Sequence, residues 1–298
     1  MGALPPGPSA PSIVQAVQFG RDPTGFLERC AARYGDAFTM RLPNDPPRVI
    51  CSDPADIKKI FALRPDAYRS DNQSIHLNLG SNSVLFQDGD RHRRQRKLMV
   101  PVLQGQRLRA YAQLMADVTR EELDGWPRGS SFRLHPHMQA ISLDVFLRCV
   151  FGLEGQRRQE QRRRVLDWLQ GTMSPQMFAT GMLVSANRLR RLLDRAVDQA
   201  RSNGRRPLLF RGVAQAKVDL LALLQGEIDA CREQGVEHRE DVLSLLVQAR
   251  YEDGDPMEDE DILDQLITLL VGGHETTANS LSWAVSLIVD HPRVLAKV

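Results

Sequence analysis

The sequence is short of cysteine, of net charge and of long apolar runs, and each shortage removes a class of function. Its four cysteines, Cys30, Cys51, Cys149 and Cys231, lie far apart in 298 residues and form no C-x-x-C pair. They read as reduced thiols of a cytosolic protein rather than as a disulfide framework. A net charge of +2 gives no bulk electrostatic reason to bind nucleic acid. No stretch approaches the roughly 18 uncharged apolar residues of a membrane span, because Asp264, His274 and Glu275 interrupt the most apolar region. Met1 to Ser12 is Pro-rich without an apolar core, so no signal peptide or anchor is expected there. Pro6 occupies the Ser/Thr position of a myristoylation signal. Internal repeats and long linkers are also missing. A cytoplasmic protein with no nucleic-acid partner and no membrane anchor is the expectation.

What is present is ordinary for a soluble domain: 42% apolar and 26% charged residues, in a chain long enough for an ample core. Leu4 to Ser12, with four prolines, should be extended and poorly ordered. Phe26 to Tyr34 reads as a short helix ending at Gly35. Ala37 to Leu42 and Arg48 to Cys51 read as a β-hairpin, and Asp53 with Pro54 caps a helix running to about Leu63. After residue 90 nearly everything is helical: Leu108 to Leu123, Met138 to Phe151, Arg162 to Gln170, Leu208 to Gln234 and Asp241 to Arg250. Trp126 to Gly129 is a turn, followed by a short extended Ser131 to Leu134. His135 and His137 flank Pro136 with no third ligand near in sequence, so metal binding there is the weaker reading. Gly171 to Gly181 suits a mobile connection. Arg188 to Arg206 reads first as a solvated helix and loop, and second as a basic patch for an acidic electron-donor protein or a membrane surface.

Ile262 to Val289 is the stretch around which the rest is arranged. Apolar residues fall on every side of its helical projection, which predicts a helix buried in the middle of a domain. Asp259 to Asp261 favour its start and Pro292 stops it soon after Asp290. About thirty helical residues span roughly 45 Å. Its centre, Gly272-Gly273-His274-Glu275-Thr276-Thr277, is poor helix sequence and gives up about 2 kcal/mol of propensity. The glycines leave room for something flat or large against the backbone. The Thr276 hydroxyl can bond the Gly272 carbonyl and loosen the helix. Glu275 supplies an acid in an apolar setting, where proton transfer is the usual use; the plainer alternative is a Glu that reaches solvent. His274-Glu275 does not open a zinc H-E-x-x-H motif, because Ala278 stands at the second ligand position.

A second stretch, Asp88 to Lys97, places His92 and Arg96 one helical turn apart on one face, with Asp88 or Asp90 as cap. Such a pair can grip an anionic group, with the Arg fork and the His as donors. A solvated basic face is the alternative for any single arginine here.

With both stretches in place, the sequence resembles the N-terminal two-thirds of a cytochrome P-450, the haem-thiolate monooxygenase family. Gly272 to Thr277 is similar to that family's oxygen-binding signature, and His92 with Arg96 to its haem-propionate helix. The resemblance implies a mainly α fold with a small N-terminal β-hairpin region (α+β), cut after the long central helix. It implies one incomplete domain over 1–298: a Pro-rich tail at 1–12, a small β-containing part at 13–89 and a helical part at 90–298. Gly272 and Gly273 would let the helix approach haem b, Thr276 would hold dioxygen and a water, and Glu275 would help deliver protons. His92 and Arg96 would bind the propionates. The implied reaction inserts one oxygen atom of O2 into a hydrophobic small molecule. Electrons would come from NAD(P)H through a ferredoxin-type or flavoprotein reductase partner. Pocket-lining positions would lie within Met173 to Leu193 and Leu266 to Leu270.

The family's axial cysteine and its E-x-x-R helix follow the central helix, and neither occurs here before Val298. Glu154 to Arg157 and Glu160 to Arg163 match E-x-x-R by accident, since both precede it. No metal-ligating residue is therefore assigned, and a fragment inactive by itself, with an uncovered apolar face, is expected. The alternative is a non-catalytic helical binding or interaction protein derived from the family.

Overall fold

The computed structural model describes residues 3–64, 67–68, 79–104, 106–153, 155–172, 186–203, 210–236 and 239–297. In chain order these form α1 (Ser12–Arg21), α2 (Pro23–Tyr34), β1 (Ala37–Met40), β2 (Arg48–Cys51) and α3 (Pro54–Phe61). A 3-10 turn (Val84–Phe86) precedes α4 (Gly89–Val102), α5 (Gln106–Asp124), α6 (Leu134–Phe151), α7 (Gly155–Thr172) and α8 (Ala186–Asn203). Then come α9 (Arg211–Gln234), α10 (Val242–Gln248), α11 (Asp259–Asp290) and α12 (Pro292–Leu295). The chain falls into two compact units, one of residues 1–77 and 172–211, the other of 78–171 and 212–298.

The first unit holds the β-hairpin, antiparallel with Phe38 opposite Ile50, over a small core of Phe26, Cys30, Phe38 and Met40. Asp22 accepts from the Gly25 amide at 3.0 Å and Asp53 from the Asp56 amide at 2.8 Å, so both α2 and α3 begin at a capped Asp-Pro pair. The Pro-rich tail is extended, as expected, but it is not loose. The Thr39 amide donates to the Pro6 carbonyl at 3.0 Å, and the Thr39 hydroxyl to that of Pro5 at 2.7 Å. A Cβ on Gly7 would stand 2.0 Å from the Thr39 oxygen, so only glycine lets the tail lie this close to β1. Buried Gln15, on the unanticipated α1, donates to the Pro8 and Ala10 carbonyls and accepts from the Arg41 amide.

The second unit carries the large core, in which Trp168, Leu143, Leu147, Leu220, Leu243, Ile262 and Leu266 are almost fully buried. α11 packs most extensively on α6. Its start is fixed by Asp259, held by the Arg232 guanidinium through two contacts and by the Gln225 amide at 2.8 Å. Those bonds hold the Asp259 carboxyl below the usual carboxylate range. Two expectations need correction here. The extended stretch read at Ser131 to Leu134 stops at Arg133, because α6 begins at Leu134 and carries His135 and His137 in its first turn. Also, α11 is buried all round only in its first half. Beyond Gly272 one side opens, leaving Trp283 69% and Leu287 55% exposed. Periodicity cannot signal this, since an apolar residue looks the same in a sequence whether or not another layer covers it.

Candidate active site

The first half of α11 is clasped to the loop before α4. The Gln265 side chain, fully buried, accepts from the Val84 amide at 3.0 Å and donates to the Asn82 carbonyl at 2.7 Å. Asp264 accepts from the Asn82 amide at 2.8 Å. The Thr268 hydroxyl lies 2.7 Å from that of Ser83. A Cβ on Gly80 would fall 1.6 Å from an Asp264 carboxylate oxygen, so any larger residue there would push that carboxylate aside. Burial pushes the Asp264 carboxyl up, against the opposing pull of the Asn82 amide. None of these roles was anticipated. The one available signal was a set of polar residues, Asp264, Gln265 and Thr268, breaking an apolar run.

α4 stands beside this clasp, its buried Gln95 accepting from Gln265 at 3.5 Å. Asp88 takes the cap position without a side-chain capping bond, while Asp90, in the first turn, pairs with Arg93. Arg91 donates to the Asn82 side chain at 2.9 Å and sits 3.5 Å from Asp261. Arg94 pairs with Asp253 and stacks over the Tyr251 ring, and Lys97 pairs with Glu252 at 2.6 Å. Among the described residues the side chains of His92 and Arg96 have no hydrogen-bond or ion-pair partner.

At the centre of α11, Gly272, Gly273, Thr276 and Thr277 are exposed, and a Cβ on either glycine would meet nothing within 4 Å. The Thr276 hydroxyl donates to the Gly272 carbonyl at 2.5 Å, as its spacing predicts, yet α11 runs unbroken from Asp259 to Asp290. Glu275 does not simply reach solvent. Its Oε2 accepts from the Gln139 amide at 2.9 Å and its Oε1 lies 3.3 Å from His135 Nε2. His135 and His137 do not converge, because His137 Nδ1 lies 2.6 Å from Glu122. Ser142 donates to the His274 carbonyl at 2.9 Å, joining α6 to α11 just before Glu275.

His274 is buried, with Nδ1 unpartnered, and burial pushes its ring below the ordinary histidine range although Glu275 pulls the other way. A base depressed on folding contributes stability that is complete above its unfolded value, near 6.5. Below that pH the unfolded chain takes up a proton that the folded chain refuses. The melting temperature is therefore expected to fall as pH drops from neutral through that value, and His274→Gln should flatten this acid limb. An unchanged acid limb in His274→Gln would refute the assignment.

Cys30, Cys149 and Cys231 are buried and Cys51 is half-buried. Burial raises the thiols of Cys30, Cys231 and Cys149, the last to about 11. Such thiols stay protonated at neutral pH and are poor metal ligands. Of the expected pocket lining, most of 173–193 and much of the connection at 171–181 lie outside the described residues, as do 204–209 of the arginine-rich segment. Leu266, Ile267 and Leu270 are core residues, so of Leu266 to Leu270 only Leu269 keeps partial exposure among the apolar positions.

No described helix is long and apolar enough to cross a membrane. In a comparison with protein families, the model described as Cytochrome P-450 matches residues 4–298. A Mycobacterium tuberculosis protein designated cytochrome P-450 135B1 is 35% identical over 99% of this chain and 59% of its own length. Cytochrome P-450 138 of Mycobacterium bovis is 32% identical over 98% of this chain and 62% of its own length. Among solved structures, retinoic-acid-bound cyanobacterial CYP120A1 superposes with a TM-score of 0.77 at 22% identity, over 99% of this chain and 62% of that one. The cytochrome P450DA haem domain gives 0.70 at 20% identity. The chain thus spans about three-fifths of the length of the proteins it matches, and the structural likeness is one of fold. With the helical architecture, the two-stranded sheet and the family match over nearly every residue, the chain belongs to the cytochrome P-450 family.

Proposed function

We propose that this chain serves a haem-dependent monooxygenase that inserts one oxygen atom of O2 into a hydrophobic small molecule, within a single cytochrome P-450 domain. The observation that carries this reading is the selective pairing on α4. Arg91, Arg93, Arg94 and Lys97 are each engaged by a carboxylate, whereas His92 and Arg96 are left to hold an anion from outside the described residues. A pair of propionates fits that demand, with the Arg fork giving charge-assisted bonds. The side of α11 bared at Gly272 and Gly273 fits a flat macrocycle. Haem b, when bound, would supply the iron chemistry that splits dioxygen and transfers one oxygen atom.

The remaining work falls to side chains of this chain. Gly272 and Gly273 keep bulk away from the open face. The Thr276 hydroxyl spends its proton on the Gly272 carbonyl, which leaves its oxygen free to accept a hydrogen bond from a water or from a protonated oxygen. Glu275, fixed by Gln139 and His135, holds an acid beside that face. Leu269, partly exposed, supports an apolar substrate. The electron route in this reading is NAD(P)H through a ferredoxin-type or flavoprotein reductase, and the protein is cytoplasmic; family membership is what supports both.

The test is haem titration of the purified chain followed by the carbon monoxide difference spectrum of the reduced product. Loss of one charge-assisted bond is worth roughly tenfold in affinity, so Arg96→Ala should weaken haem uptake by about that factor, while Arg93→Ala should not. Equal affinity in Arg96→Ala would sink the propionate reading. No thiolate-type Soret band is expected, because three of the four thiols are buried in the core. Such a band would mean that one of the four cysteines reaches the iron.

A further inference from the structure

We propose that His135 is a positioning residue for Glu275 and the group that passes it protons from solvent, an inference that rests on the reading of Glu275 as the acid beside the open face of α11. Both oxygens of the Glu275 carboxylate are taken by α6, one turn apart: Oε1 by His135 and Oε2 by Gln139. The second ring nitrogen of His135, Nδ1, lies 3.2 Å from the Ser282 hydroxyl oxygen. That hydroxyl is already committed, since it donates to the Ala278 carbonyl at 2.7 Å.

The hydrogen count then separates the two states of the ring. A hydroxyl has one proton. If Ser282 gives it to Ala278, its oxygen can only accept from His135 Nδ1–H. An ionised carboxylate also only accepts, so Nε2 must carry a proton as well. Both contacts are satisfied together only by the doubly protonated ring. A neutral ring could keep Glu275 at Nε2–H only by turning the Ser282 hydroxyl toward Nδ1 and giving up the Ala278 carbonyl. Ser282 therefore distinguishes the two protonation states of His135 at the cost of one hydrogen bond.

The surroundings leave this pair uncontested. On α11 the neighbouring titratable group is His274, kept neutral by burial. On α6 the next histidine, His137, belongs to Glu122 of α5. The His135 side chain is 40% exposed and that of Glu275 31%. Solvent thus reaches both side chains of the pair. Transfer breaks the Nε2–H bond and forms an O–H bond on Glu275. The ring keeps its Nδ1 proton on Ser282, and a solvent proton restores Nε2–H, so no co-reactant is needed. Pro136 contributes indirectly: it suits the first turn of α6 and holds His135 at the helix entrance, facing α11.

The experiment is ring-nitrogen NMR of the 298-residue chain labelled with 15N-histidine at neutral pH. Two protonated ring nitrogens on His135 are expected in the wild type and one in Glu275→Gln, which keeps the side-chain shape and the Gln139 contact. Ser282→Ala should move the Nδ1 resonance and leave Nε2 protonated. A bare ring nitrogen in the wild type, or a ring indifferent to Glu275→Gln, overturns the proposal. Should Glu275→Gln not fold, the 13C shift of the Glu275 carboxyl decides. It should change over the same pH interval as the His135 nitrogens, and separate intervals overturn the pairing. Because the readout needs no haem, a doubly protonated ring in a chain that takes up no haem would remove the monooxygenase reading and leave the pair standing.

Discussion

Gln265→Met should lower the unfolding free energy by about 3 kcal/mol, one of the largest losses available from a single side chain here. The methionine matches glutamine in length, so little cavity or strain is added, and what is lost is three hydrogen bonds, the one to Gln95 a long one. The Val84 amide and the Asn82 carbonyl would lose their partners in a fully buried setting, at about 1–3 kcal/mol each, offset in part by a more apolar side chain. Urea unfolding reads this directly as a lower midpoint with an unchanged slope. A loss below about 0.5 kcal/mol would mean that water reaches these groups and the clasp is not a buried one. Haem uptake should fall with it. Gln265 also meets Gln95 of α4, the helix that carries His92 and Arg96.

The second large effect has the opposite sign. Gly272→Ala together with Gly273→Ala should stabilise the chain by about 2 kcal/mol, since each mid-helix glycine costs about 1 kcal/mol against alanine. Nothing opposes the added methyls, because a Cβ at either position meets no atom within 4 Å. The same methyls would stand on the open face of α11, so haem affinity should drop while the melting temperature rises. This separation matters for the functional reading. A sequence that gives up stability at a site with free space around it keeps that space for something else. If the double variant were more stable and bound haem as well as the wild type, the open face would not be where the macrocycle rests.

Much of the local structure was legible because it depends on short-range chemistry. Asp53-Pro54 starts a helix through a side-chain cap and a fixed φ, whereas at Asp22-Pro23 the same pair starts a helix that the sequence reading begins only at Phe26. The spacing of His92 and Arg96 places them on one face of α4, and Thr276 finds the carbonyl four residues back. The poor helix sequence at Gly272 to Thr277 marked the centre of the candidate site for the same reason: a propensity cost is visible without knowing any partner. The mainly α class, the hairpin and the family followed from these patterns.

Other features were beyond the reach of pattern because they depend on residues far apart in the chain. Gln265 clasps an amide 181 residues away, and nothing in its neighbourhood names Val84. The tail read as loose because prolines deny it secondary structure, yet Gln15 and Thr39 supply the hydrogen bonds it cannot make internally. Glu275 offered two readings, acid or solvated surface group, and only the placement of His135 and Gln139 on α6 gave it partners. The apolar run of α11 likewise could not say which half is covered. The sequence by itself determined which segments are helical, where the central helix is weakest and which family the chain resembles, since backbone propensity, capping and periodicity act within a few residues. Tertiary structure alone decided which polar groups meet, which apolar face stays open and which side chains of α4 find no partner among the described residues, because burial and pairing are set by elements that the chain brings together across more than a hundred residues.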